Sequence, residues 1–358
     1  MNVRARVAVV GAGWWSGRVH LPALAQNEDA DLVAVSDRNI ERARHAASLF
    51  GIPHAESDHT ELLKYGLDCV IIATGHAAHY AEARTFLEAG VDVLVEKPMT
   101  VSAAEAWDLV DIGRRTGARV HVGYTFVHSP YARALRQRIL DGDIGQLVVS
   151  QVLFATGVQA LLRGDQRQRE TTTVPTTSGG GSWADPSQGG GQLHGQLTHG
   201  ASLLLWLTAA RPSQVSAFSN HLDATVDLAD TLAIQFEDGS IANMTTTATV
   251  VAHESRMEEY RIFGTEGHLA LDTHLWRYSL TQKTSPVRSW CAADPRAVMA
   301  DCEIAPSRVL VAAALGKADV VATGELGAMT TALLCAAAES ARTGASVTVQ
   351  NGPATASS

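Results

Sequence analysis

Lysine is almost missing from this chain. It occurs only at positions 64, 97, 283 and 317, so 24 of the 28 basic residues are arginine. Beside abundant alanine this reads as coding bias, and it makes a lysine inside a motif worth locating. Cysteine is scarce too: Cys69, Cys291, Cys302 and Cys335 are too few and too scattered for a disulfide framework or a zinc site. A reducing, cytoplasmic setting is expected. Long apolar runs are absent, and the run at 309–315 falls well short of the ~20 residues of a membrane span. The first apolar run is short and ends in glycine, so no secretion signal is expected. Positive charge is in deficit: a net charge of −9 argues against a nucleic-acid surface. The 14 histidines are scattered and none forms His-x3-His with carboxylate support, so no metal is expected.

What remains is a chain of 358 residues, 46% hydrophobic, long enough for a sizeable core and, at roughly 100–200 residues per domain, about two domains. Short apolar runs at 6–10, 31–36, 67–73, 91–96 and 119–123 read as strands. Helical patterns run to about 26 and over 40–50, 78–89 and 102–116. This alternation predicts βαβ units and a parallel sheet. The pattern changes near residue 124. A helix is expected over 130–140, an alternating strand over 146–154, and a Thr-, Ser-, Gly- and Pro-rich loop over 171–191. Strands at 230–236 and 240–249 flank Asp238-Gly239, a hairpin signal, and strands at 260–263 and 268–271 flank a second turn. Helical segments broken near Thr323-Gly324 occupy 308–342, and a last strand is expected at 347–349. The expected fold is α/β: a parallel-sheet domain over 1–124, an α+β domain with an antiparallel sheet over 125–352, and a flexible tail over 353–358.

Gly11-Ala12-Gly13-Trp14-Trp15-Ser16-Gly17 follows the first strand and opens a helix. Gly11 permits the tight turn. Gly13 lets the backbone approach a pyrophosphate at the positive helix N-terminus, and the small Ser16 takes the third position. Asp37 ends the second strand, 20 residues after Gly17, where a carboxylate accepts the ribose hydroxyls of an adenosine. A carboxylate repels a 2′-phosphate, so NAD is expected ahead of NADP. NADP stays open because Arg38 could stack on adenine, bind that phosphate or be a solvated helix-start charge. Of Trp14 and Trp15, one is expected to cover the cofactor and the other to pack inward.

Glu96-Lys97-Pro98 at a strand end, after such a fold, resembles the Gfo/Idh/MocA family of oxidoreductases. Ile72-Ala73-Thr74 followed by His79 resembles the family's ATPxxxH turn, with Gly75 in place of proline. Gly189-Gly190-Gly191 followed by His199 resembles its GGGxLxDxGxH segment, and Gly264-Thr265-Glu266-Gly267 its GTEG hairpin. The match runs from about residue 5 to residue 350. The resemblance implies a Rossmann domain followed by a domain with a large, open, mostly antiparallel sheet. It implies NAD(P)-dependent oxidation or reduction of a secondary alcohol on a sugar, cyclitol or related polyol. It also implies a cofactor-side set of Thr74, His76, His79, Glu96 and Lys97, and a homodimer or homotetramer formed through the open sheet.

Hydride transfer from a carbinol carbon needs a base for the hydroxyl proton, and the reverse needs an acid. Lys97 sits at a strand's carboxyl edge, where open α/β sheets place their ligands, and its ammonium can stabilise negative charge on the substrate oxygen. His199 is the expected proton carrier, because an ordinary imidazole titrates near neutrality. The family's Asp, four residues before this histidine, is here Gly195. Gln196 can hydrogen-bond substrate or cofactor but cannot move protons, and His194 points less favourably. Tyr124 is expected to face the substrate or pack in the core, with His128 a weaker candidate. An indole at Trp183 could stack on the C–H face of a sugar ring or simply pack within its own loop. The leading expectation is a sugar or cyclitol dehydrogenase. Behind it stand a redox-neutral enzyme that keeps NAD bound and works through a transient keto-sugar, and a non-catalytic sugar sensor.

Overall fold

The computed structural model describes residues 3–165, 181–251, 256–283 and 285–352. Six strands form a parallel sheet: β1 (Ala5–Val10), β2 (Ala30–Ser36), β3 (His54–Glu56), β4 (Cys69–Ile72), β5 (Asp92–Val95) and β6 (Val120–Val122). Their order, β3-β2-β1-β4-β5-β6, is the doubly wound Rossmann arrangement, with its switch point beside β1. Helices α1 (Leu21–Ala25), α2 (Ile40–Phe50), α3 (His79–Glu88) and α4 (Ala103–Thr116) connect the strands. The helix boundaries follow from local chemistry. Asn39 caps α2 by accepting from the Glu41 N–H, and Gly51 ends it in the left-handed region. Ser102 caps α4 in the same way, and Gly117 ends it. The three-residue β3 and the 3-10 segment His59–Tyr65 were not expected; both are short and polar.

After α5 (Pro130–Leu140), nine strands build a second sheet: β7 (Leu147–Ala155), β8 (Pro212–Asn220), β9 (Ala229–Phe236), β10 (Ile241–Thr247), β11 (Met257–Gly264), β12 (Gly267–Asp272), β13 (Arg277–Gln282), β14 (Ser285–Cys291) and β15 (Val347–Thr348). The order is β14-β13-β12-β11-β7-β10-β9-β8-β15, antiparallel except where β10 runs parallel to β7. Strict alternation makes it one-sided: in β9, Asp230, Leu232, Ile234 and Phe236 face the core while Thr231, Ala233 and Gln235 face out. The covered face carries α8 (Thr198–Thr208) and α10 (Gly324–Thr343). Between β7 and β8 lie α6 (Gln159–Leu162) and α7 (Gly181–Ala184). The loop expected over 171–191 is only partly within the described residues. From Gly181 onward the chain forms α7 and a 3-10 turn over Pro186–Gln188, capped by Asp185. The expected tail, 353–358, lies outside the described residues.

The end of the chain returns to the first sheet. Helix α9 (Pro295–Ala314) packs on β1, β4 and β5 and buries Leu310 and Val311 with Val7, Ile71 and Leu94. Helix α10 lies against α4 and β6. At Gly327 on α10 an added Cβ would stand 2.6 Å from both Met99 Sδ and Val122 Cγ2. Among the described residues, no helix is long and apolar enough to cross a membrane.

The close approach at Gly327 sets a test of this packing. Alanine is worth about 1 kcal/mol over glycine in a helix interior, but overpacking a tight core costs about 1–3 kcal/mol. Met99 can turn aside, whereas Val122 is stiff at χ1. Gly327→Ala should therefore lower the thermal unfolding midpoint, and a raised midpoint would show that the contact is slack.

Candidate active site

A cleft of about 1380 Å³ runs from the carboxyl edge of the first sheet, past β6, to the second sheet. At its first end Gly11 has φ 96°, and an added Cβ would lie 2.5 Å from the Ala73 carbonyl oxygen, so only glycine fits. Gly13 has nothing within 4 Å of its absent Cβ, which leaves backbone open to the cleft. Asp37 accepts from the Ala12 N–H at 3.0 Å and pairs with Arg42 at 3.3 Å. Arg38 lines the same wall. Arg42, one helical turn into α2, was not singled out from the sequence. The glycine turn, the helix start and Asp37 fit a dinucleotide, with Gly13 the place where a diphosphate can touch backbone.

Trp14 and Trp15 both line the cleft, and Trp15 also turns inward to donate to Glu96 at 2.9 Å. Thr74 donates to Glu82 at 2.5 Å, and burial pushes the Glu82 carboxyl up to about 7. Glu82 carried no sequence signal. His76 bonds the Gly189 carbonyl at 3.2 Å and His79 the Pro98 carbonyl at 2.9 Å. Burial pushes both imidazoles below their ordinary range, so they tie segments together as neutral rings.

The catalytic candidates come from two corners, the end of β5 and the segment that leads into α8. Two of the helices that face the cleft begin with a π turn, at Ser16–His20 and at Leu193–Leu197, a local irregularity that frequently marks functional sites. Lys97 follows β5 and sends its Nζ 3.0 Å to the Gly195 carbonyl, 4.8 Å from the Trp183 ring centre. His199 packs against two aromatic rings, Phe126 at 5.4 Å and Phe154 stacked at 6.2 Å, which also meet each other at 6.3 Å. Its Nδ1 is buried without a partner. Burial, then the charges of Lys97 and Arg256, pushes His199 well below 6.5. The expectation of a histidine titrating near neutrality is thus corrected: burial and two cations keep it neutral there.

Gln196 and Trp183 line the cleft as expected, together with Lys97 and His199. Tyr124 does not. Its side chain is 1% exposed in the core, away from the lining, and burial pushes its hydroxyl up to about 12. It is excluded as a substrate contact because α10 and the core close over it. His128 is likewise buried off the cleft, and burial pushes it down to about 4. The far wall was invisible in the sequence: Arg256 directly precedes β11, Glu258 lies on it, His274 comes from the β12–β13 turn, and Arg296 and Glu303 come from α9. Arg256 donates to His274 at 2.8 Å and faces Glu258 at 3.6 Å.

Residues 5–124 match the model of an oxidoreductase family with an NAD-binding Rossmann fold, GFO_IDH_MocA, and residues 132–270 match the GFO/IDH/MocA C-terminal domain. The chain is 26% identical over 274 residues to a dTDP-3,4-didehydro-2,6-dideoxy-alpha-D-glucose 3-reductase from Saccharopolyspora spinosa, covering 76% of each protein. It is 28% identical over 146 residues to a D-glucoside 3-dehydrogenase from Escherichia coli, which spans 40% of this chain and 42% of that protein. Among solved structures, levoglucosan dehydrogenase in complex with NADH superposes with a TM-score of 0.79 at 19% identity, covering 97% of this chain and 99% of that one. A likeness at that identity speaks for the fold.

Asp37 decides the cofactor's ribose if the adenosine lies at this end of the cleft. Asp37→Ala should weaken NAD far more than NADP, because the carboxylate that accepts the ribose hydroxyls also repels a 2′-phosphate. Calorimetric titration with both cofactors measures it, and equal losses would sink the assignment.

Proposed function

The chain belongs to the Gfo/Idh/MocA oxidoreductase family, and on that premise we propose that it transfers hydride between NAD and a secondary hydroxyl of a sugar or cyclitol, with Lys97 and His199 meeting at the carbinol oxygen. The observation that carries this reading is the lining of one cleft by the glycine turn, Asp37, Lys97 and His199. The sugar-directed names of the relatives support the substrate class. NAD supplies the hydride acceptor, or as NADH the donor; the remaining tasks fall to the chain. The Gly11–Gly13 turn and the helix after it hold the diphosphate, and Asp37 holds the ribose. The Lys97 ammonium binds the substrate oxygen and favours negative charge there. His199, neutral at working pH, accepts the hydroxyl proton in oxidation and returns one in reduction. Trp183 and Gln196 flank the substrate.

A redox-neutral reaction through a transient ketone uses the same residues. Product formation without net NADH, from protein that retains its cofactor through gel filtration, would select it. We further propose a homo-oligomer. The outward positions of β9 and β10, among them Thr231, Ala233, Gln235, Ile241 and Asn243, are exposed, so the outer face of this nine-stranded sheet is left for a second copy to cover. Light scattering at micromolar concentration should give more than one chain per particle, and a monomer would refute it.

Turnover tests the chemistry. Lys97→Ala should lose ~10²–10³-fold, the scale of one electrostatic stabiliser, and His199→Ala ~10²–10⁴-fold, the scale of general acid–base catalysis. NAD binding should survive both. The sign of the pH dependence follows from burial. A depressed imidazole stays neutral as pH falls through 6.5, so the acid-side loss of the oxidation rate should lie below pH 6.5. A midpoint at or above that value, or full turnover in His199→Ala, would move the proton to another group.

A further inference from the structure

We infer that Trp183 is the positioning residue for Lys97, and that position 195 is glycine because the indole occupies the space a side chain there would need. This rests on the reading of Lys97 as the group that meets the substrate oxygen. A Cβ at Gly195 would lie 2.7 Å from Cζ3 and 3.0 Å from Cε3 of Trp183, closer than non-bonded carbons approach. The carbonyl of the same Gly195 accepts from Lys97 Nζ at 3.0 Å, and that ammonium stands 4.8 Å from the indole centre. Two segments in van der Waals contact thus hold one ammonium, one through a carbonyl oxygen and the other through a π face. An indole attracts a cation strongly when water is excluded, and it does so without adding formal charge to the site.

The indole is itself anchored. The Trp183 carbonyl accepts from the Gly191 N–H at 3.1 Å. A Cβ at Gly190 would come within 2.7 Å of the carbonyl oxygens of Ser182 and Trp183, so the glycine run is what lets the α7 turn close. His76 meets the indole edge-on at 5.7 Å, and the ring packs against a small apolar cluster of Leu162, Val226, Leu228 and Ala248. Trp183 therefore sets where the Lys97 charge stands, and a fixed charge is worth more to a developing oxyanion than a mobile one.

The test is a double-mutant cycle joined to a labelling measurement that needs neither cofactor nor substrate. Gly195→Ala pushes the indole aside and Trp183→Ala removes it, and each should cost roughly tenfold or more in turnover. The double variant should be no worse than Trp183→Ala, because the added methyl no longer has a neighbour to displace. Trp183→Phe should recover much of the loss and Trp183→Leu should not. In cofactor-free protein, acylation of Lys97 followed by peptide mass spectrometry should be several-fold faster in Trp183→Leu than in wild type. With only four lysines in the chain, Lys64, Lys283 and Lys317 serve as internal controls of folding. Additive losses in the cycle, or Lys97 labelling unchanged in every Trp183 variant, would overturn the proposal. Faster labelling with turnover untouched would instead refute the role of Lys97 in the reaction.

Discussion

One buried carboxylate organises the site. Glu96 follows β5 and accepts from Trp15 Nε1 at 2.9 Å, from the His20 ring at 3.1 Å and from the N–H of Lys97 at 3.0 Å. Burial alone would push Glu96 up, but the hydrogen bond and charge of His20, with Lys97, outweigh it and hold the carboxyl below its ordinary range. A buried charge persists only when it is paired and fully hydrogen-bonded. Supplying those partners pins three elements. His20 continues to Ser307 at 2.8 Å on α9, so β5, the helix after the glycine turn and a helix from the end of the chain meet at this point. Gly123 completes the arrangement, since a Cβ there would lie 2.5 Å from the Glu96 carboxyl. On the proposed reading Glu96 therefore serves to hold this frame at the cleft wall. It cannot act as a base without breaking the frame that aims the next residue, Lys97, into the cleft.

From that frame the two sheets are tied across the cleft by a few polar contacts. His76 reaches the Gly189 carbonyl and Lys97 the Gly195 carbonyl, both on the segment that leads into α8. Asp227 holds the same segment from below by accepting the Leu193 N–H at 2.6 Å. Its carboxyl is so close to Gly191 that no side chain fits there. Glycines at 189, 190, 191 and 195 therefore share one cause, the close approach of other chain segments to the turn that leads into α8.

The first half of the molecule was largely legible in its sequence because its signals are local. Asn39 and Gly51 bracket α2, Ser102 and Gly117 bracket α4, and the apolar runs between them are buried on both faces of a parallel sheet. The hairpin at Asp238-Gly239 was legible for the same reason. Strands β8, β13 and β14 were not. Each carries Ser, Gln or Arg at its outward positions, so its own alternation is weak, although each pairs with the strand next to it in the chain. The same distinction divides the site. Lys97, Asp37 and the glycine turn sit in compact motifs. Arg256, His274 and Glu303 reach the cleft only through the long-range packing of β11, β13 and α9, and no spacing announces them. Tyr124 shows the opposite failure: its place after a strand suggested the cleft, but a helix from the end of the chain closes over it.

The environments of Lys97 and His199 divide the work between them. Lys97 is met by a carbonyl and an aromatic face, both of which favour a cation. His199 is buried against two phenyl rings with an unpartnered Nδ1, and Lys97 and Arg256 oppose any further positive charge nearby. In a low-dielectric cleft two neighbouring cations repel strongly, so the site holds the charge on one group and leaves the other neutral. That is the state an alcohol needs on arrival: a positive charge for its oxygen and a free lone pair for its proton. In the reverse direction the imidazole must first take a proton that the same cations oppose. On the proposed reading, reduction therefore requires the substrate's own oxygen to offset the charge that His199 gains.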